Sequence, residues 1–478
     1  MRRGVYLFIL LIVVIVSSIT CIIVGDDVHN LIPFVVCAAI FLVFFFLFVQ
    51  QNSEYKGRWY KPSNVFMLGF FIVSFQYLID YCIGYKSLGD FYISSSVGKM
   101  ATTCLFGLIA FIIGYVASRN YTPNRDPDKP HFRLSTRFLE LMQIVFFVGW
   151  ISTVNIVALL TGYGYFEDVS GSASANFESL FYDATLAILV IVVINNQENG
   201  IKSIREFLKK EPIIFWVIIS IYCVIRLISG DRGPCLYMAL AVFFAYKMLA
   251  KSRIKLFRII VFFIAAAIVL NVVGVARSLS LNMSFSERIV TASNDLWGQS
   301  QARFSNKTIF PITEELAMSN RCNQIAINLI DNGSDTYHYG KYCFYQVLQC
   351  IPFVPSFLHN TLKIPEDELS ANIKMTDVYY GQHNFSQIGT TVVADSYFDF
   401  GVVGVIIMLL LCGFVFKKVD SAVCLTSPTS WLTIAIVLLF ASMAIYIPRS
   451  TLIIQLKQLI PICVLLIVNN VLFQRRPR

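Results

Sequence analysis

Arg226, Arg232, Arg277 and Arg449 lie within or beside apolar segments, and a guanidinium at membrane depth is costly unless something compensates it. Its planar fork grips two oxygens at once, which suits a phosphate. Several such groups converging on one cavity predict a pyrophosphate site whose ligand keeps a lipid tail in the bilayer. The competing reading for each is snorkelling or a pair with a neighbour such as Asp231.

Acid–base candidates fall in one polar segment. His338, His359 and His383 are there with Glu314, Glu315, Asp377 and Asp395, and an imidazole or a partly buried carboxylate accepts a proton from a sugar hydroxyl. His383 ranks first because GQHNFSQIG is polar, bounded by glycine and close to the next apolar run. Glu314 is the second candidate base. Tyr339, Tyr342 and Tyr397 are candidates to stack on sugar faces, with packing as the alternative for each. No zinc spacing, Walker A, dinucleotide fingerprint or nucleophile elbow occurs, and the D-x-D of Asp126 and Asp128 stands alone. No metal or cofactor is therefore expected. Cys322, Cys343 and Cys350 share the same segment, so one disulfide with a thiol left over stays open.

The elements that must position these residues follow from composition. Of 478 residues, 56% are apolar and 14% charged, against about 25% charged in an ordinary soluble domain. A soluble enzyme, a disordered chain and a nucleic-acid-binding module are excluded. Continuous apolar runs of about 20 residues, instead of alternating ones, indicate spanning helices and not a barrel. The first run, Val5 to Val24, exceeds a signal peptide's core and is followed at once by a second, so it is read as a retained span.

Twelve runs are counted, among them Phe138 to Leu160, Ile259 to Ala276, Val402 to Phe416 and Trp431 to Ile447. The expected fold is an all-α polytopic integral membrane protein of about 12 transmembrane helices. Basic clusters at Arg2–Arg3, Lys56–Lys61, Arg119–Arg137, Lys202–Lys210, Lys247–Arg258, Lys417–Lys418 and Arg475–Arg478 all fall on one side under that count. By the positive-inside rule this side is cytoplasmic and holds both termini. The organisation reads as helices 1–9 over 1–276, a large extracytoplasmic loop over 277–401, and helices 10–12 with a cytoplasmic tail over 402–478. Within the loop, YHYGKYCFYQVLQCIPFVPSFL either lies along the membrane interface or packs as the core of a small loop domain.

LISGDRGP, NVVGVARS, YHYGKYCFYQVLQCIPFVP and especially IGTTVVADSYFDFGVVG, set in this topology, resemble the O-antigen and capsule repeat-unit polymerases of the Wzy type. Asp395 stands in the last string where the family pattern leads one to expect Glu. The resemblance implies a GT-C-like, metal-independent membrane glycosyltransferase in the bacterial plasma membrane. Its partners would be undecaprenyl-pyrophosphate-linked oligosaccharides and, for chain-length control, a regulator protein. It further implies that His383 or Glu314 deprotonates the acceptor while Arg226, Arg232, Arg277 and Arg449 hold the pyrophosphate. Tyr339, Tyr342, Asp395 and Tyr397 would face sugar. A transporter such as a flippase is disfavoured because the long loop is external and late and the spans are nearly uncharged. An O-antigen ligase shares the topology and the arginine chemistry.

Overall fold

A computed structural model describes residues 2–25, 27–51, 59–121, 134–154, 173–197, 199–229, 231–250, 285–294, 308–310, 313–351, 354–381, 388–424 and 430–473, with five single positions between 257 and 272. Among them the structure is helical, with no strand beyond one isolated bridge between Ile201 and Ala250. The apolar helices are α1 (Arg2–Val24), α2 (Val28–Gln51), α3 (Pro62–Cys82), α4 (Val97–Ala117), α5 (Arg137–Thr153) and α6 (Ala173–Asn196), then α8 (Ile213–Ile228) and α9 (Gly233–Leu249) after the short α7 (Ile204–Leu208). Short helices follow: α10 (Phe285–Asn294), α11 (Glu314–Ala317), α12 (Asn320–Asp331), α13 (Lys341–Gln349), α14 (Val354–Asn360), α15 (Glu366–Leu369) and α16 (Ala371–Tyr380). The chain ends with α17 (Val392–Cys424), α18 (Trp431–Met443) and α19 (Leu459–Phe473).

Six of these, α1 to α4, α6 and α17, are long and apolar enough to cross a membrane, and α8, α9, α18 and the α19 region are shorter apolar helices. The chain is a polytopic helical membrane protein. The expected run from Phe138 to Leu160 is helical only to Thr153, and the run from Trp431 stops at Met443. Beyond Met443 the chain turns through a 3-10 segment, Ile447–Arg449, whose proline lacks the N–H needed to continue an α-helix. The run from Ile259 to Ala276 lies largely outside the described residues. In α17, Phe400 and Gly401 leave helical geometry, with Gly401 at φ +62°, a conformation open to glycine without steric cost. The break falls one residue before Val402, where the apolar run begins.

The chain divides into two compact units. The first comprises 1–120, 306–420 and 444–454. Here α4 and α17 touch backbone to backbone. A Cβ on Gly413 would lie 2.0 Å from the Phe111 carbonyl oxygen, and one on Gly114 would lie 2.1 Å from that of Leu410. Small residues permit that approach, and close packing drives helix association where lipid is as apolar as the helix surface. Asp420 ties α17 to α3 and α4, accepting from Ser63 N–H (3.0 Å), Ser63 hydroxyl (2.5 Å) and Tyr115 hydroxyl (2.8 Å).

The second unit comprises 121–305, 421–443 and 455–478. Phe147 and Trp150 of α5 pack on Phe181 of α6 and Tyr222 of α8, with ring centroids 4.8–6.0 Å apart. Gln143 donates to Thr185 at 3.0 Å and Tyr182 to Ser442 at 2.9 Å, so polar groups buried between apolar helices are paired, as low dielectric demands.

Candidate active site

In the first unit the loop helices form a packed body of their own. Cys322, Ile325 and Ala326 of α12 meet Tyr342 of α13, Met375 of α16 and Phe398 of α17. Tyr342 therefore serves as core: it is fully buried, packs on the tilted His338 ring at 4.5 Å, and donates its hydroxyl to the Asp367 carbonyl at 3.0 Å. The opposite face of α13 is exposed at Phe344 and Val347, so the aromatic stretch supplies the core of the loop body with one face only.

The C-terminal end of α3 holds the segment that leads into α11. Gln76 and Asp80 are one turn apart and share a face. Asp80 accepts from the Thr308 hydroxyl at 2.7 Å and from Ile309 N–H at 2.9 Å. Gln76 donates to the Phe310 carbonyl at 3.0 Å and accepts from the Thr313 hydroxyl at 2.6 Å. These bonds deliver Glu314 as the first residue of α11, half-buried against α3. Burial pushes its carboxyl up to about 7, Lys86 pulls it down and Asp80 pushes it further up. At that value it is poised to take a proton near neutrality.

One cation, Lys86, acts on this carboxyl. Lys86 is buried, with its Nζ 4.5 Å from the centre of the Tyr77 ring. The guanidinium of Arg321 stacks on Tyr379 at 4.4 Å, and Tyr379 packs on Tyr92 at 4.9 Å. Arg321 Nε is buried with no hydrogen-bond partner among the described residues. Glu314 and Arg321 both act electrostatically on Tyr77. Arg449, on the 3-10 turn, has Nη1 3.9 Å from Glu315 Oε1, a long contact to a half-exposed carboxylate. The Cys322 thiol, pushed up to about 12 by burial, is pulled down by Arg321 and by Arg449, so both guanidinium groups reach the same part of the loop body. A near-neutral carboxyl with Lys86 acting on it suits proton removal, and a guanidinium on an aromatic face suits a developing phosphate charge.

A sequence profile of the family described as O-antigen polysaccharide polymerase Wzy matches residues 6–476. The chain belongs to that family. It polymerises O-antigen repeat units, acting on lipid-linked oligosaccharide in the bacterial inner membrane as a multi-pass protein. No curated protein and no solved structure matches the chain.

Among the family member's sequence-derived site residues, Glu314 and Arg449 are in the first unit, and Arg226 and Arg232 in the second. His383 and Arg277 lie outside the described residues. Arg226 is almost fully buried and donates Nε to Glu178 at 2.6 Å and Nη2 to the other Glu178 oxygen, with Asp231 at 3.4 Å and Tyr222 donating to Glu178 at 2.6 Å. Glu178 was not expected as its partner; Asp231 was. Arg232 is half-buried at the start of α9.

Asp395 and Asp399 are buried in the upper part of α17 and border a small cavity with Cys343, Gln346 and Thr451. Asp395 accepts from Gln346 at 2.8 Å and from the Thr390 hydroxyl. Tyr397 is buried, donating to Asp331 at 3.2 Å. Tyr339 is the exposed ring of the set, with φ +51° and its N–H on the Asp399 carbonyl at 3.0 Å. Cys322, Cys343 and Cys350 are free thiols. His338 meets Asp335 at 3.1 Å, and Lys374 pairs with the same carboxylate, which these partners hold below its ordinary range against the opposing effect of burial. Among the described residues no group of three His, Cys, Asp or Glu side chains is arranged to hold a metal.

Lys86, Arg321 and the Gln76–Asp80 clamp were missed in the sequence. The signal for the first two was present: both are basic residues in connections that the charge-bias count reads as extracytoplasmic, the criterion that singles out Arg226. The clamp had no signal, because its partners are more than 220 residues away along the chain.

Proposed function

We propose that the chain transfers a growing glycan from undecaprenyl pyrophosphate to the terminal sugar of an incoming lipid-linked unit, with Glu314 as the base. The acceptor hydroxyl oxygen attacks the anomeric carbon of the donor, and its proton passes to the Glu314 carboxylate. The bond from that carbon to the pyrophosphate oxygen breaks, and its electron pair leaves with the phosphate. Arg321, Lys86 and Arg449 meet that charge, which makes the transfer metal-independent. The observation that carries this reading is Glu314, near neutral in its proton affinity, with the buried Lys86 on Tyr77 acting on it.

Arg226 takes a different task in this proposal. Its charge is spent on Glu178, so it stiffens the turn that carries Arg232, and Arg232 and Arg277 remain the pyrophosphate candidates outside the first unit. His383 is the alternative base. Tyr339 stacks on sugar; its strained backbone and open ring are the pattern of a functional residue. Asp395 and Tyr397 support the loop body from below, through Gln346 and Asp331.

The wider architecture completes the reading: twelve spans in a GT-C-like arrangement, both termini cytoplasmic, residues 277–401 on the extracytoplasmic side where lipid pyrophosphate is the activated donor, and a separate protein setting chain length.

A strain lacking the gene, complemented with Glu314→Gln or Arg321→Ala, tests it. Surface polysaccharide on a gel should collapse to a single repeat on its acceptor. Long chains of normal length in both variants overturn the assignment, and loss of all surface sugar in the deletion strain points to ligation or flipping instead.

A further inference from the structure

The exposed face of α13 and α14 has an apolar stripe that no part of the reaction uses. On α13, Tyr342 and Gln346 point inward at 0% and 7% exposure, whereas Phe344 and Val347 are 58% and 50% exposed, and Ile351 just past its end is 47% exposed. Phe357 on α14 and Leu362 just beyond it are exposed as well. In water such a face is a liability for a monomer.

Where this stripe sits is decided by its attachment to α17. Phe400 is exposed at the kink, and beyond it Val403, Ile407, Leu411 and Phe414 are exposed at intervals of three or four, so that an apolar row along a spanning helix begins at the kink. That row meets lipid. Its first member, Phe400, is the residue against which α13 begins: a Cβ on Gly340 would lie 3.1 Å from the Phe400 ring, and the Tyr337 hydroxyl lies 2.9 Å from the Cβ position of Gly401. His338 N–H donates to the Phe398 carbonyl at 2.9 Å, and both Asp399 oxygens accept from the first turn of α13. The far end is tied down too, Cys350 Sγ donating to the Ile453 carbonyl at 3.5 Å. The amphipathic helix thus starts at the membrane boundary of a lipid-facing row and is fixed at both ends.

We propose that α13 and α14 lie in the plane of the membrane with Phe344, Val347, Ile351, Phe357 and Leu362 sunk among the acyl chains of the nearer leaflet. Continuity with the α17 row identifies lipid as the occupant, in preference to a second copy or a partner protein. The polar side keeps its own contacts, Lys341 pairing with Glu368 at 2.6 Å. An in-plane helix of this kind sits about 5–10 Å into the headgroup and acyl boundary, so the stripe sets the height of the loop body above the bilayer.

The test is brominated-lipid quenching of the full chain in proteoliposomes. Phe344→Trp and Phe357→Trp are each compared with the parent protein, whose five native tryptophans supply the background, and with Val403→Trp on the α17 row. The added emission of Phe344→Trp and Phe357→Trp should be lost with bromine near the headgroup and lost less with bromine deep in the chains. That of Val403→Trp should be lost as well, which shows that the protein is inserted. Emission at 344 and 357 unquenched by either lipid overturns the proposal, whether red-shifted by water or blue-shifted by a protein neighbour. Quenching by the deep lipid alone overturns it too.

Discussion

Asp399 accepts the backbone N–H of Cys343 at 2.9 Å, while its other carboxylate oxygen takes that of Tyr342 at 3.1 Å. A side chain of the last helical turn before the α17 kink thereby caps α13 and favours its dipole. Asp399→Ala should cost about 1–2 kcal/mol, read as a lower unfolding midpoint in detergent and faster hydrogen exchange of α13 amides. Asp399→Asn should lose less. Unchanged exchange in the alanine variant rules the cap out.

Glu314 links pH to rate and stability in opposite directions. Its folded-state carboxyl is pushed up to about 7 from an ordinary 4.5, chiefly by burial. Below 4.5 the folded and unfolded chains both hold the proton and this group costs nothing. Between 4.5 and 7 only the folded chain still holds it, so stability falls as pH rises through that window and levels off above it. Polymerisation should rise across about pH 7 as the base ionises. Glu314→Gln should abolish the rise in rate and the fall in midpoint together.

Lys86 favours the ionised form of Glu314. Lys86→Met should therefore move the midpoint of the rate profile to higher pH, and Lys86→Arg should leave it nearly in place. A profile in Lys86→Met that keeps its midpoint and merely loses height would mean Lys86 acts apart from Glu314.

Arg321 stacks on Tyr379 at 4.4 Å, a contact worth about 0.5–2 kcal/mol. With the pyrophosphate role, Arg321→Ala should shorten chains sharply, by about tenfold or more in rate, the scale of losing one charge-stabilising donor. Arg321→Lys should be intermediate, and Tyr379→Leu milder still. Normal chain lengths in Arg321→Ala would leave the cation structural.

Arg226 and Glu178 are a bidentate pair in a buried setting. Removing one partner, as in Arg226→Met, should cost about 3–5 kcal/mol, and the double change Arg226→Met with Glu178→Met should recover most of it. Thermal midpoints of the three variants measure this directly. A double variant no better than the single one refutes the pairing argument.

Gly413 and Gly114 hold α4 against α17 with no room for a methyl group. Gly413→Ala should abolish monodisperse protein in size-exclusion chromatography. Gly4→Ala, which meets open space, should behave as the parent does.

Much of this fold was legible because apolar runs are read one residue at a time against a uniform solvent. Val5 to Val24 became α1, and the run from Val402 begins where α17 kinks. The composition that excluded a soluble protein and the strings around IGTTVVADSYFDFGVVG pointed to the family that the profile identifies. Less of the site was legible. Arg226 stood out by depth alone, yet what it does depends on Glu178, 48 positions earlier, and Tyr342 and Tyr339 look alike as residues although one is core and the other open.

Residue type and hydropathy thus determined, unaided, that this chain crosses lipid many times and where several spans begin, because transfer from water to hydrocarbon is a local and additive free energy. Tertiary structure alone decided which charges are spent and which remain. Neutralising Arg226, poising Glu314 and seating Arg321 on a ring each require groups far apart in the chain to meet within a few ångströms, and Coulomb and hydrogen-bond energies depend on that distance, not on sequence separation.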